Sequence, residues 1–185
     1  AYVGFTGWIL WRTRRTPAAP ASAIGTDTVL VAYASQTGFA LQLAQRTAQS
    51  LEQAGTPVHL LDLAALDGVR LARYRRALFV VSTTGEGDPP EPALGFVRDV
   101  LARPAALADL QYAVLALGDA TYAQFCAFGR QLDAWLRTHG ARPLFDRVEV
   151  DNADQAALRH WQHHLSLLTG DADLRDWSPP RYQAW

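Results

Sequence analysis

The stretch VLVAYASQTGFA, residues 29–40, combines two structural patterns. Its first half, VLVAYA, is a continuous apolar run, as expected of a strand buried on both faces of a sheet. Residues 35–38 (SQTG) then form a turn, and apolar residues recur with helical spacing from Ala40 to Leu51. A buried strand that leads directly into a helix predicts a parallel sheet covered by helices.

Further strand and helix patterns alternate along the chain. Four more strands are predicted at residues 58–63, 77–81, 112–117 and, more weakly, 143–150. Helical spacing follows the last three of them, at residues 94–101, 125–136 and 158–168. Five strands alternating with helices predict a three-layer α/β fold over residues 27–169, with a five-stranded parallel sheet in the order 2-1-3-4-5.

The composition excludes several kinds of chemistry. The 185 residues include no lysine and one cysteine, and the net charge is −1. A phosphate-binding loop ending in lysine, a lysine Schiff base, an internal disulfide and a zinc site of paired cysteines are therefore excluded. Near-neutral charge with scattered arginines also argues against a nucleic-acid-binding protein. Because the sequence contains no methionine, we expect it to be a piece of a longer protein.

Both ends of the chain differ from the predicted domain. Residues 1–10 are apolar, include Trp8, and run into WRTRR at 11–15, which is typical of the cytoplasmic exit of a membrane helix. We therefore interpret residues 1–26 as the truncated end of a membrane helix followed by a linker, although a disordered start remains the alternative. Residues 170–185 are interpreted as a linker toward an absent module, because Trp177 and other aromatic residues lie in a polar, proline-containing tail.

Three loops follow predicted strands at the edge where ligands of such sheets bind, residues 35–40, 82–90 and 118–126. The first opens a helix, whose free amides and positive dipole end favour an anion. Ser35 and Thr37 add hydroxyl groups and Gly38 lets the backbone curl, so the loop indicates a monophosphate site. A simple helix cap by Ser35 or Thr37 is the alternative.

The other two loops suit a flat ring. STTGEGDPP at residues 82–90 has little side-chain bulk, and its two prolines exclude the helix that a dinucleotide fingerprint requires. LGDATYAQFC at residues 117–126 places Tyr122 just past a strand, where an aromatic side chain can stack on such a ring.

These three motifs resemble the flavin mononucleotide (FMN) domain of diflavin reductases, a family that includes the sulfite reductase flavoprotein subunit and NADPH–haemoprotein reductase. The resemblance covers about residues 28–168 and implies a flavodoxin-like fold with FMN as cofactor. It implies no catalytic side chain and no metal ligand. The cofactor-binding residues that it implies are Ser35, Gln36, Thr37, Gly38, Phe39 and Ala40 at the phosphate, Ser82, Thr83, Thr84, Gly85 and Gly87 on one side of the ring, and Leu117, Gly118, Asp119, Tyr122, Phe125 and Cys126 on the other.

Two residues depart from the family pattern. Phe39 replaces a small polar residue in the phosphate loop, and Thr84 stands where relatives often carry tyrosine or glutamine. We therefore expect weaker FMN retention, with Tyr122 as the main stacking residue. The resemblance also implies that the peptide around Gly85 lies near flavin N5 and responds to redox state.

The resemblance further implies that the domain relays electrons from an NADPH-reduced FAD module to an acceptor that contains haem or a metal. With the N-terminal pattern, it predicts attachment to the cytoplasmic face of a bacterial inner membrane. Two alternatives are a free-standing NAD(P)H:quinone-type reductase and a flavin-free interaction module. Acidic residues around the ring loops predict a surface for a basic partner. These residues are Glu86, Asp88, Glu91, Asp99 and Asp119.

Two further features have ordinary structural explanations. Cys126 has no histidine near it in sequence, and we expect it to be a buried packing residue. His160, His163 and His164 include a pair spaced four residues apart, but a solvated helix face is the expected explanation.

Overall fold

The computed structural model describes Gly25, residues 27–171 and Trp177. The predicted membrane-helix end and linker at residues 1–26 lie outside the described residues, except for Gly25. Most of the predicted linker at 170–185 also lies outside them. Within the described part, no helix combines the length and apolar character that crossing a bilayer requires.

A parallel sheet forms the centre of the domain, and its order, β2-β1-β3-β4-β5, is the predicted one. A sixth strand also pairs with β4. The strands are β1 (Val29–Ala34), β2 (Val58–Asp62), β3 (Arg76–Ser82), β4 (Gln111–Gly118), β5 (Arg142–Pro143) and β6 (Val148–Asp151).

The prediction of one continuous fifth strand over residues 143–150 is wrong. β5 and β6 both pair in parallel with β4, and the chain leaves the sheet between them. The side chains of the residues between β5 and β6 contact helices or a neighbouring strand. Phe145 stacks on His164 and contacts Trp161. Arg147 forms ion pairs with Asp133 and Glu149. These contacts outside the strand ladder account for the interruption.

The four predicted helices form on both faces of the sheet, and a short helix that the sequence analysis did not predict lies between β2 and β3. The helices are α1 (Phe39–Gln53), the short α2 (Gly68–Leu71), α3 (Leu94–Phe96), α4 (Ala127–Thr138) and α5 (Gln155–Thr169). A 3-10 turn, Glu91–Ala93, precedes α3, and a π turn, Val97–Leu101, continues it, so the predicted apolar stripe adopts a wider helical geometry there. Alternate side chains of β1 enter the two cores, with Leu30 packed on the α3 and α4 side and Val31 on the α1 and α5 side.

α1 and α5 pack together on one face. The Trp161 indole is fully buried, and its Nε1 donates a hydrogen bond to Thr47 Oγ1 at 3.0 Å. Trp177 contacts the same face, since its backbone N–H donates to Gln162 Oε1 and its Nε1 to Ser50 Oγ. Trp177 therefore packs against its own domain, whereas the sequence suggested an absent partner.

α4 lies unusually close to β4. A Cβ atom added at Gly129 would lie 2.3 Å from the Ala116 Cβ, so only glycine permits this approach. Asp133 on the same helix is 4% exposed and forms ion pairs with Arg137 and Arg147. These contacts fix the N-terminus of α4 beside the loops that end β3 and β4.

Candidate cofactor site at the carboxyl edge of the sheet

The three predicted loops begin side by side. Ala34 at the end of β1 is in register with Val81 of β3, and Ser82 is in register with Leu117 of β4. The backbone N–H of Thr83 donates to the Leu117 carbonyl at 2.9 Å and extends the ladder by one bond. The topology therefore brings the predicted phosphate and ring residues to one edge.

The N-terminus of α1 is open to a ligand. Gly38 is its N-terminal boundary, with a φ of +92°, and no side chain among the described residues caps the helix. The Ser35 hydroxyl accepts a hydrogen bond from Gly38 N at 2.9 Å, which closes the turn ahead of the helix. Because the first amides of a helix have no intrahelical acceptor, those of Phe39 and Ala40 can donate to an anion, next to the exposed Thr37. This arrangement favours the anion site over the alternative of a simple cap.

The side chain of Gln36 connects the first two loops. Its Oε1 accepts a hydrogen bond from the backbone N–H of Glu91 at 3.0 Å. Gln36 is thus a brace between the phosphate loop and the end of loop 82–90, which only the folded structure reveals.

Loop 82–90 is held in a tight turn between Thr84 and Asp88. Thr84 N donates to the Asp88 carbonyl at 2.8 Å, and Asp88 N donates back to the Thr84 carbonyl at 2.9 Å. Gly85 lies at the tip with a φ of +48°. Gly87 has a φ of +122°, and a Cβ there would lie 2.7 Å from the Gln124 Cβ. The second loop therefore packs against the third through a glycine.

The third loop presents Tyr122 at the same edge. Tyr122 is 44% exposed, so its ring is accessible for stacking. The carboxylate of Asp119 shapes the loop from within, because it accepts hydrogen bonds from the Thr121 hydroxyl at 2.6 Å and the Thr121 N–H at 2.9 Å. These two bonds lower the pKa of Asp119.

Several predicted site residues direct their side chains into the protein. The Thr83 hydroxyl accepts from the Phe128 N–H of α4 at 3.2 Å. Cys126 is fully buried, its Sγ donates to the Ala116 carbonyl, and burial raises the pKa of its thiol to about 12. The prediction that Cys126 is a packing residue is confirmed. Phe125 is half-buried against the core on the α4 side.

Five other predicted residues can offer mainly backbone atoms or little bulk. Ala40 and Leu117 are buried in the core, and Phe39 packs against the α1 and α5 side. A Cβ at Gly118 would lie 2.9 Å from the Cys126 backbone nitrogen, so glycine is required there. Ser82 is half-buried at the end of β3.

The sequence analysis missed one loop that contributes to this edge. Asp151, at the end of β6, accepts a hydrogen bond from Ala120 N at 2.9 Å, and Asn152 N donates to the Gly118 carbonyl. The same rule that selected the other loops, polar residues directly after a strand, would have found Asp151 and Asn152 if it had been applied to the last strand.

The acidic residues separate into two groups. Glu86, Asp88 and Glu91 are exposed around the second loop, and no arginine of the described residues forms an ion pair with them. Asp99 instead pairs with Arg98 at 2.6 Å. Both residues of that pair line a groove of about 890 Å³ that none of the predicted cofactor residues lines.

Comparisons with known proteins agree with this architecture. A family model described as flavodoxin matches residues 31–161. A flavodoxin of Streptococcus pneumoniae TIGR4 superimposes with a TM-score of 0.68 at 24% identity, covering 78% of this chain and 99% of that chain, and so shares the fold. The chain belongs to the flavodoxin family.

More similar sequences belong to a particular kind of flavoprotein. The sulfite reductase [NADPH] flavoprotein alpha-component of Neisseria meningitidis serogroup C is 38% identical over 84% of this chain and 26% of the relative. The protein of the same name from Bacillus subtilis (strain 168) is 40% identical over 72% of this chain and 22% of the relative. The chain thus spans about a quarter of the length of these curated relatives.

Family membership and these flavoprotein relatives indicate FMN as the cofactor. The residues present fit this group. The open amides of α1 and the neutral donors of residues 35–38 suit a phosphate, and the low-bulk loop 82–90 and exposed Tyr122 suit a flat ring.

Proposed function

We propose that this chain is an FMN-dependent electron-transfer domain. In this proposal it receives electrons from an FAD-containing module reduced by NADPH, and delivers them to an acceptor that contains haem or a metal. FMN supplies the capacity to carry one or two electrons, and the protein supplies its binding, orientation and access.

The observation that carries this proposal is the juxtaposition of an open helix N-terminus and an exposed aromatic ring at one sheet edge. α1 offers uncapped amides for the phosphate, and Tyr122 lies exposed in the loop that follows β4. The seventeen residues named as cofactor-binding in the sequence analysis lie in the three loops or at the ends of the strands and helix that flank them. We propose that they form the site through their backbone atoms and through the hydrogen bonds that hold the loops in place, as much as through their side chains.

The exposed acids around loop 82–90 support a basic partner surface. Glu86, Asp88 and Glu91 have no arginine partner among the described residues, so their field reaches solvent. Electron transfer to the acceptor should therefore slow markedly as ionic strength rises, because the Debye length falls to about 3 Å at 1 M salt.

The electron-transfer proposal is favoured over the two alternatives by the chain's relatives. Both relatives named above are flavoprotein components named for NADPH-dependent sulfite reductase. A free-standing quinone reductase would require its own nicotinamide-binding surface, and a flavin-free module would leave the open N-terminus of α1 without a ligand.

Absorbance spectroscopy and a reductase assay test the proposal together. The purified chain should bind FMN with bands in the flavin region, and should oxidise NADPH only when an FAD-containing module is added. Absence of FMN binding would support the flavin-free alternative. NADPH oxidation by the chain alone, with a quinone as acceptor, would support the reductase alternative.

We further propose attachment to the cytoplasmic face of a bacterial inner membrane. Its support is the sequence of residues 1–15, where Trp8 and Trp11 precede three arginines. Fractionation of the full-length protein tests it: recovery in the membrane pellet that resists high salt agrees with an anchor, and recovery in the supernatant contradicts one.

A further inference from the structure

Two histidines on α5 are placed as a chelating pair. His160 and His164 lie four residues apart, on one face of the helix, and their Nε2 atoms are 3.1 Å apart. Their rings meet edge to face, with centroids 4.4 Å apart. We propose that this pair is a binding site for a divalent transition cation of the zinc, nickel or copper class.

The distance between the two nitrogens matches the geometry of such an ion. Imidazole nitrogens bind zinc at about 2.0–2.1 Å, so two of them are separated by about 2.9 Å at a right-angled coordination and about 3.4 Å at a tetrahedral one. The observed 3.1 Å lies between these values.

The His164 ring is already held in place. It stacks on Phe145 with centroids 4.0 Å apart and an interplanar angle of 4°. A ligand that is fixed before binding loses less conformational freedom when the ion arrives. Phe145 lies in the segment between β5 and β6, so this segment also positions one of the two proposed metal ligands.

The two Nε2 atoms share a hydrogen bond in this arrangement, so one of them carries a proton. Both rings must carry their protons on Nδ1 when the two Nε2 atoms coordinate an ion, so metal binding would replace this hydrogen bond.

His160 is exposed and His164 half-buried, so solvent reaches the pair. Among the described residues, no group of three or more histidine, cysteine, aspartate or glutamate side chains surrounds a metal position. Water would complete the coordination sphere, as expected of an exchangeable site rather than a closed structural one. Of the chain's other three histidines, His163 lies next to His164 on α5, and the other two are engaged elsewhere, since His59 Nδ1 bonds to Tyr74 and His139 Nδ1 to the Trp135 carbonyl.

The test is a titration of the full, tag-free chain with zinc chloride at pH 7.5, in competition with a chromophoric chelator. The wild type should bind one equivalent, and H160A and H164F should bind at least tenfold more weakly. H164F keeps an aromatic ring against Phe145 but removes the nitrogens. H163A is the matched control, because His163 lies on the same exposed helix surface and outside the pair, and its affinity should stay within twofold of the wild type.

Circular dichroism of each variant establishes that the fold is retained before the affinities are compared. The proposal is overturned if the wild type shows no saturable binding, if H160A binds as tightly as the wild type, or if H163A weakens binding as much as H160A does.

Discussion

The N-termini of α1 and α4 lie at the same edge of the sheet and begin in the same way, yet they have different roles. Each helix starts after a residue with a left-handed backbone, Gly38 at φ +92° and Cys126 at φ +54°. Neither of these residues caps its helix with a side chain. The difference is that the Thr83 hydroxyl oxygen accepts a hydrogen bond from the Phe128 amide of α4, whereas the first turn of α1 has no such side-chain partner among the described residues.

The comparison shows how one local geometry serves two purposes. In α4, the Ala127 amide donates to the Gln124 carbonyl and the Phe128 amide to the Thr83 hydroxyl, so the second bond joins the helix to loop 82–90. The amides of α1 are left for a ligand, at a cost that an anion offsets when it binds. The binding function therefore depends on what the neighbouring strand provides as much as on the helix itself.

The largest effect is expected from separating α4 from the sheet. Gly129→Ala places a methyl group 2.3 Å from the Ala116 Cβ, and should lower the free energy of unfolding by about 3 kcal/mol. Urea denaturation measures this. Gly95→Ala is the control, because a Cβ at Gly95 meets no atom within 4 Å and alanine should stabilise the helical turn by about 0.5–1 kcal/mol. Equal stability of the two variants would contradict the close packing of α4.

A smaller effect should distinguish the two ends of α1. Gly38→Ala and Gly55→Ala both force a side chain into a left-handed backbone without a clash, at a cost of about 1–2 kcal/mol each. Only Gly38 lies at the proposed phosphate site. FMN affinity measured by fluorescence quenching should fall about tenfold in Gly38→Ala and stay unchanged in Gly55→Ala. A similar loss in both variants would mean that strain, rather than the site, governs binding.

Smaller effects are expected from removing the hydroxyls of Thr83 and Thr37, the first on stability and the second on FMN binding. Thr83→Val removes the acceptor of the Phe128 amide and should lower the free energy of unfolding by about 1 kcal/mol. Thr37→Val alters an exposed hydroxyl at α1 and should weaken FMN binding while stability stays within about 0.5 kcal/mol. Thermal denaturation with and without FMN measures both. The comparison fails if Thr37→Val destabilises the FMN-free chain as much as Thr83→Val.

The smallest effect concerns the buried start of α4. Burial raises the pKa of Cys126 to about 12, so its thiol should not react with a disulfide reagent at pH 8 until the protein unfolds. Since the folded value lies above the unfolded value of about 8.5, the stability contributed by this group should decline as the pH rises between them. Rapid labelling of the native chain at pH 8 would show that the N-terminus of α4 opens as readily as that of α1.

Much of this arrangement could be predicted from the sequence, because it depends on local patterns. The apolar runs of β1, β3 and β4 predict the sheet, and the rule that ligands bind at strand ends selects the edge where the three loops meet. The Gln36 bond to Glu91 could not be predicted, because it joins residues 55 positions apart. The break between β5 and β6 depends on contacts of Phe145 and Arg147 with helices elsewhere in the chain, which periodicity does not report.

The bond from the Glu91 amide to Gln36 makes the two halves of the site thermodynamically dependent on each other. In the proposed site, an anion bound at residues 35–38 would also favour the position of Gln36, and hence the arrangement of loop 82–90, which is proposed to face the ring. By linkage, whatever factor a phosphate adds to the affinity for the ring, the ring adds to the affinity for phosphate. A flavin lacking its phosphate would then lose the phosphate contacts and, in addition, the stabilisation of loop 82–90 that phosphate binding transmits through Gln36.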